Sequence, residues 1–168
     1  MPSTPDNLEI VPARSLPDFM FLRNLRNRVR HQMTNDTGRV GILQQLRFYL
    51  AKPRNVDIFV ALLGGRRVGY LLLRHEKETT LITEAVDERF RGKGIGSAMV
   101  AFARRRYPDL TAEIRDDNVE SLRLHEQQGF AVIGSRGIIR VCRYGGPTPA
   151  RSSAAPAPRA EIHVDPHH

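Results

Sequence analysis

The sequence predicts an α+β domain in which helices lie against a mostly antiparallel sheet. Three observations predict it. Short runs with a two-residue alternation recur along the chain, helical periodicities separate some of them, and the central runs are joined directly by turn signals.

The elements follow in order. LEIVPA (8–13) alternates Leu8 and Ile10 before a proline and reads as a short first strand. Ser15 is placed to cap a helix and Pro17 to stand in its first turn, after which Leu22, Leu25 and Val29 recur at helical spacing beneath a strongly basic face. TNDTGRV is a polar break. VGILQQLRFYLAK then predicts a second amphipathic helix, with Ile42, Leu43, Leu46 and Leu50 as its apolar positions and Pro53 beyond its end. In DIFVALLGGRRVGYLLLRH, the Gly-Gly pair predicts a hairpin turn between two β-rich runs. ETTLITEAV (78–86) adds a third strand to this meander. A glycine-rich stretch, DERFRGKGIGSAM (87–99), leads into a helix expected from about Ser97. LTAEIR (110–115) is a strand and NVESLRLHEQQ a helix, with Gly129 suited to its left-handed end and Phe130 just beyond. AVIGS and IIRVCRY finish as strands. The order is thus β α α β β β α β α β β. It forms one domain over residues 1–145, and the Pro/Ala/Ser-rich 146–168 is expected to be a disordered tail.

Composition narrows the class. The 168 residues carry a net charge of +8 and a single cysteine, Cys142, so no internal disulfide can form. Cys142 itself reads as a small core residue. MPSTPDNLEI shows neither a basic nor an apolar leader region, and IFVALL is too short to span a bilayer, so a cytoplasmic location with no membrane partner is expected. Almost all the positive charge is arginine, since Lys52, Lys77 and Lys93 are the only lysines, and this favours an anionic partner. A basic nucleic-acid-binding module is a rival reading, motivated by Arg104–Arg106. The absence of tryptophan and of an aromatic stacking pattern argues against it. The histidines of the tail (His163, His167, His168) read as solvated, and no metal is expected.

The glycine-rich stretch carries the chemistry. Gly92, Gly94 and Gly96 alternate among cations directly before a helix. The pattern G-x-x-x-x-G-K-[ST] is absent, and G-x-G-x-x-G fails at Ser97. There remain a cradle of backbone N–H groups at a helix start, suited to a diphosphate without metal, and a turn whose glycines merely permit close packing.

Arg91-Gly92-Lys93-Gly94-Ile95-Gly96 resembles the [RQ]-x-x-G-x-[GA] signature of the GNAT superfamily of acyl-CoA N-acyltransferases. NVESLRLHEQQGF is similar to that family's second motif, and the resemblance covers about residues 8–144. It implies a three-layer α/β/α fold with about six to seven strands and about four helices, and acetyl-CoA as co-substrate. It also implies direct transfer to a primary amine in a ternary complex. Val86, Arg91, Gly92, Lys93, Gly94, Ile95, Gly96, Ser97, Asn118 and Ser121 would bind acetyl-CoA, with Arg89, Lys93 and Arg123 as candidates for its 3′-phosphate. Glu84, two residues before Val86, is the candidate base. His125, standing where the family commonly carries tyrosine, is the candidate acid for the thiolate. FLRNLRNRVRHQMTND resembles enzymes that acetylate nucleotide-linked amino sugars, which points to Arg23, Asn24, Arg30 and His31 as acceptor contacts. Peptides, proteins, aminoglycosides and polyamines are the other acceptors the resemblance allows, and the enzyme is expected to be a monomer or homodimer.

Overall fold

Gly64 and Gly65, both at positive φ (55° and 78°), turn the chain back so that β2 (Val56–Leu63) and β3 (Arg66–His75) pair as a hairpin. The computed structural model describes residues 4–34 and 38–145. The tail expected at 146–168 lies outside the described residues, as do Asn35 and Asp36 of the acceptor-side stretch. Seven strands form one sheet in the order β1-β2-β3-β4-β5-β7-β6, where β1 is Leu8–Pro12, β4 Thr80–Val86, β5 Leu110–Arg115, β6 Ala131–Arg136 and β7 Ile139–Tyr144. Every neighbouring pair is antiparallel except β4 and β5.

Two apolar clusters cover the two faces of the sheet. The larger joins Leu71, Leu73 and Ile82 to Ile95, Met99, Val100 and Ala103 of α3 (Ile95–Arg106), with Phe130 and Cys142 in the same cluster. Burial raises the Cys142 thiol's pKa, as suits a packed side chain rather than a nucleophile. The smaller cluster sets Phe19, Leu22, Leu25 and Val29 of α1 (Leu16–Val29) on Val56, Ile58 and Tyr70. Ser15 caps α1 in a reciprocal box with Asp18. Burial opposes ionisation of Asp18, but its bonds with Ser15 and Arg67 prevail and hold its pKa at about 2.

The second helix departs from its expected packing. In α2 (Ile42–Leu50) the apolar residues Ile42, Leu43 and Leu50 are exposed, and Gln45 is the buried residue. The helix is instead held by Phe48 and Tyr49, whose rings meet Phe19 at 6.1 and 5.0 Å. Among the described residues, no helix is long and apolar enough to cross a membrane.

Candidate active site

The sheet is split at its middle. β4 and β5 pair only through Thr80–Ile82 and Leu110–Ala112, although β4 continues to Val86 and β5 to Arg115. Beyond Ile82 the backbone edge of β4 that faces β5 has no strand partner. A cavity of about 440 Å³ opens in the gap, reaching α1 on one side and α3 and α4 (Val119–Gln127) on the other.

One end of the cavity is made of main chain. Gly92 and Gly94 hold φ of 72° and 74°, left-handed values that most residues avoid. They turn the chain so that α3 begins at Ile95, two residues earlier than expected, with Gly94 as its cap and no capping side chain. The N–H groups of the first turn therefore have no intrahelical partner and carry the positive end of the helix dipole. Gly96 does something different. It lies inside α3, and a Cβ there would stand 2.8 Å from Leu124 Cδ1, so its bareness lets α3 approach α4. Val86, Arg91, Gly92, Gly94, Ile95, Gly96, Ser97, Asn118 and Ser121 all line the cavity. Lys93 does not; its ammonium rests over the Phe90 ring at 5.4 Å. Asn118 caps α4, its Oδ1 accepting the Ser121 N–H at 3.2 Å.

Asp87 ties this loop down. Fully buried, its carboxylate accepts the Arg89 backbone N–H (3.1 Å), Arg89 Nη2 (2.8 Å) and Arg28 Nη2 (3.2 Å). Hydrogen bonds from Arg89 above all hold its pKa far below the usual carboxylate range. Arg89, one of the 3′-phosphate candidates, is thus engaged by Asp87, and Arg28 links α1 to the loop. Arg91 Nη2 adds a 3.4 Å bond to Gln32 Oε1.

Glu84 and His125 meet at the centre, with His125 Nε2 3.6 Å from Glu84 Oε2. The histidine side chain is 2% exposed and the glutamate 11%, and both line the cavity. His125 Nδ1 lies 2.9 Å from the Ser121 carbonyl. A carbonyl only accepts, so Nδ1 carries the hydrogen and Nε2 faces Glu84 with no hydrogen-bond partner of its own. Burial raises the pKa of Glu84, and the nearby His125 only partly offsets this.

At the other end the walls are side chains. Leu22, Arg26, Val29 and Met33 come from α1 and the turn after it, and Tyr70, Leu72 and Arg74 from alternate positions of β3. Of the residues expected to meet the acceptor, Arg23, Asn24 and Arg30 do not line the cavity, because α1 turns Leu22, Leu25 and Val29 inward. His31 lines a smaller neighbouring cavity with Arg28 and Glu88. Arg26 and Arg74 were missed, although each has a sequence signal. Arg26 falls on the buried stripe of α1, and Arg74 continues the Tyr70–Leu72 alternation. Among the described residues, no group of three or more His, Cys, Asp or Glu is arranged to hold a metal.

A half-open sheet that leads to an uncapped helix start can receive an extended arm ending in a diphosphate, the arrangement that the resemblance to acyl-CoA-dependent transferases implies. The family model described as the acetyltransferase (GNAT) family matches residues 22–130, and the chain belongs to that family. It is accordingly an acyltransferase, an N-acetyltransferase dependent on acetyl-CoA. No curated protein matches the sequence. Among solved structures the chain is similar to yncA of Salmonella typhimurium, solved with its cofactor acetyl-CoA. That likeness has 20% identity, 91% of this chain and 99% of that one covered, and a TM-score of 0.66. It is also similar to an N-acetyltransferase from Staphylococcus aureus Mu50 (22% identity, 83% and 97% covered, TM-score 0.65). A third is a ribosomal-protein-alanine N-acetyltransferase from Brucella melitensis (20% identity, 80% and 96% covered, TM-score 0.64). At these identities the likeness is one of fold.

Proposed function

We propose that the enzyme acetylates the primary amine of a small molecule by direct transfer in a ternary complex, with Glu84 and His125 moving the protons. The observation that carries this reading is the buried Glu84–His125 pair in the gap of the sheet. A base for an ammonium needs a proton affinity above that of an ordinary carboxylate, and burial supplies it to Glu84.

Glu84 takes one proton from the acceptor's ammonium and passes it to solvent. The freed lone pair forms the C–N bond at the thioester carbonyl, whose π pair moves onto oxygen. A backbone N–H of the unpaired β4 edge near Val86 donates to that oxygen. As the carbonyl re-forms, the C–S bond breaks and the pair leaves on sulfur. His125 Nε2 accepts the second nitrogen-bound proton and delivers it to the thiolate, while the Ser121 carbonyl keeps the ring oriented through Nδ1. The products are an amide, free CoA and one proton in solution.

Gly92, Gly94 and the first N–H groups of α3 hold the diphosphate in this reading, and Asn118 and Ser121 border the arm. The catalytic unit is residues 1–145. The nucleotide-linked amino sugar is the weaker acceptor, because Arg23, Asn24, Arg30 and His31 stand away from the cavity. The test is an acceptor panel read by thiol release from acetyl-CoA, run on the wild type, Glu84→Gln and His125→Phe. Release with small primary amines that falls sharply in both variants is expected. Wild-type turnover in both would remove the pair from the chemistry, and absence of acetyl-CoA binding by calorimetry would remove the reading altogether.

A further inference from the structure

We infer that Tyr70 holds the reacting amine from the α1 side of the cavity, its hydroxyl oxygen accepting the one N–H that the amide product keeps, and that it thereby selects primary amines. The inference rests on the transferase reading above and adds to it a residue that recognises the acceptor nitrogen.

The split in the sheet gives that nitrogen two sides. Glu84 pairs with Leu71 across the ladder and shares the α3 face with it and Ile82, which is the side His125 approaches. Tyr70 stands on the opposite face, in the cluster with Leu22, Leu25 and Val29 of α1. Its partner in the ladder is Ala85, the residue between Glu84 and Val86. Tyr70 is therefore level with the base and with the backbone groups that meet the thioester in the proposed reading. Neighbouring strands lie about 4.8 Å apart and Ala85 is small, so a tyrosine on β3 is long enough to cross β4 toward the gap. Tyr70 and Ala85 both line the cavity.

The hydroxyl is free to do this. Tyr70 is 1% exposed, and among the described residues no hydrogen bond involves its oxygen. Unlike His125 Nε2, that oxygen is not completely enclosed, so the little surface the residue keeps lies at its tip. Burial above all raises the phenol's pKa, with Arg26 opposing the rise and Glu84 adding to it. The proton therefore stays on the oxygen, and the group orients the amine rather than taking protons from it. Other polar side chains on this side of the cavity are engaged or of the wrong kind. Gln32 Oε1 accepts from Arg91, Thr111 shares a hydroxyl bond with Thr79, and Arg26 and Arg74 only donate. Thr83 also lines the cavity but lies toward the paired end of β4, next to Ile82.

The proton count fits this placement. A primary ammonium has three N–H bonds. Glu84 takes one proton, His125 takes a second, and the third stays in the amide. The first two leave on the α3 side, so a hydroxyl opposite them receives the third and aims the lone pair along the gap at the thioester. A secondary ammonium has only two N–H bonds, and both are needed by the proton carriers. Its alkyl group would then face the hydroxyl and leave it unpaired.

The experiment supplies hexylamine, 2-phenylethylamine and the best acceptor of the panel above, each beside its N-methyl derivative. Thiol release and Tm are measured with the wild type and Tyr70→Phe. The primary amine is expected to exceed its N-methyl derivative by about tenfold or more in kcat/KM with the wild type. In Tyr70→Phe that ratio is expected to fall toward one, through slower turnover of the primary amine. Because it is taken within one preparation, a partly unfolded variant does not obscure it. The variant's Tm is expected to equal or exceed that of the wild type, since the ring packing is kept and a buried hydroxyl without a protein partner is removed. N-methyl amines turning over as well as primary ones with the wild type, a preference that survives in the variant, or a lower Tm in the variant would overturn the inference and leave the transferase reading standing. No thiol release with any amine, despite acetyl-CoA binding, would overturn both.

Discussion

The two ends of the cavity are built from different materials. The end that holds the cofactor in the proposed reading is main chain, consisting of the first N–H groups of α3, two glycines at positive φ and the unpaired edge of β4. The acceptor end is side chain, drawn from α1, β3, β4 and β5. A main-chain site has to be contiguous, because consecutive N–H groups must converge on one ligand, and so its signature is compact in the sequence. A side-chain site borrows single residues from distant segments and becomes visible only once the sheet brings them together.

The largest effect is expected where the two ends meet. Glu84→Gln should lower kcat by about a hundredfold or more, measured by thiol release at saturating acceptor. The same change should stabilise the protein at neutral pH, and the sign follows from burial. A carboxyl whose folded pKa is raised adds stability below its ordinary value of 4.5 and loses it as pH climbs through the folded value. Glutamine carries no such cost, so the variant's Tm should exceed that of the wild type at pH 7 and depend less on pH above the ordinary carboxyl value. An equal or lower Tm at pH 7 would count against a strained, buried base.

Gly94→Val tests the main-chain end. A β-branched residue at φ 74° costs about 1–2 kcal/mol in backbone strain and displaces the first turn of α3. Acetyl-CoA should bind at least about tenfold more weakly by calorimetry, while the KM for the acceptor amine changes less. If the acceptor KM rose as much, the two ends would not be independent. His125→Phe should reduce kcat by about tenfold or more and change the pH profile of kcat, since the ring contact with Phe130 at 4.9 Å can be kept while the proton carrier is lost.

Asp87→Asn should act on stability more than on chemistry. Its depressed folded pKa means that its ion pairs with Arg89 and Arg28 contribute above the ordinary value of 3.8 and are lost as pH falls below it. The variant should melt about 5 °C lower at pH 7 and show a flatter acid limb. An unchanged Tm at pH 7 would mean that the tie between α1 and the loop holds nothing.

Much of the fold was legible, for local reasons. Ser15 and Pro17 mark a helix start, Gly64-Gly65 a hairpin, and Gly129 a helix end, each written within a few residues. The glycine stretch was legible as a turn into a helix start, but the shared role given to its three glycines was too uniform. Gly92 and Gly94 serve conformation, whereas Gly96 serves contact with Leu124, a partner 28 positions away that spacing cannot reveal. The same limit applies to α2. Its leucines satisfy a helical period, yet Phe48 and Tyr49 win the packing because Phe19 offers them aromatic contacts. In α1, the resemblance of FLRNLRNRVRHQMTND drew attention to Arg23, Asn24 and Arg30. The more informative cue was a charge on an otherwise apolar stripe, at Arg26.

The unpaired half of β4 has a further consequence. A cofactor read through backbone groups makes few demands on the identity of the residues that supply them. Substitutions along that strand, Glu84 apart, can accumulate without weakening the grip, provided the strand stays extended and the helix starts on time. The side-chain end has no such freedom, since exchanging one of its residues changes the walls that meet the acceptor. Within one chain, then, the part that supplies acyl groups can drift while its chemistry stays put, and the part that chooses their destination can be re-specified by a few mutations.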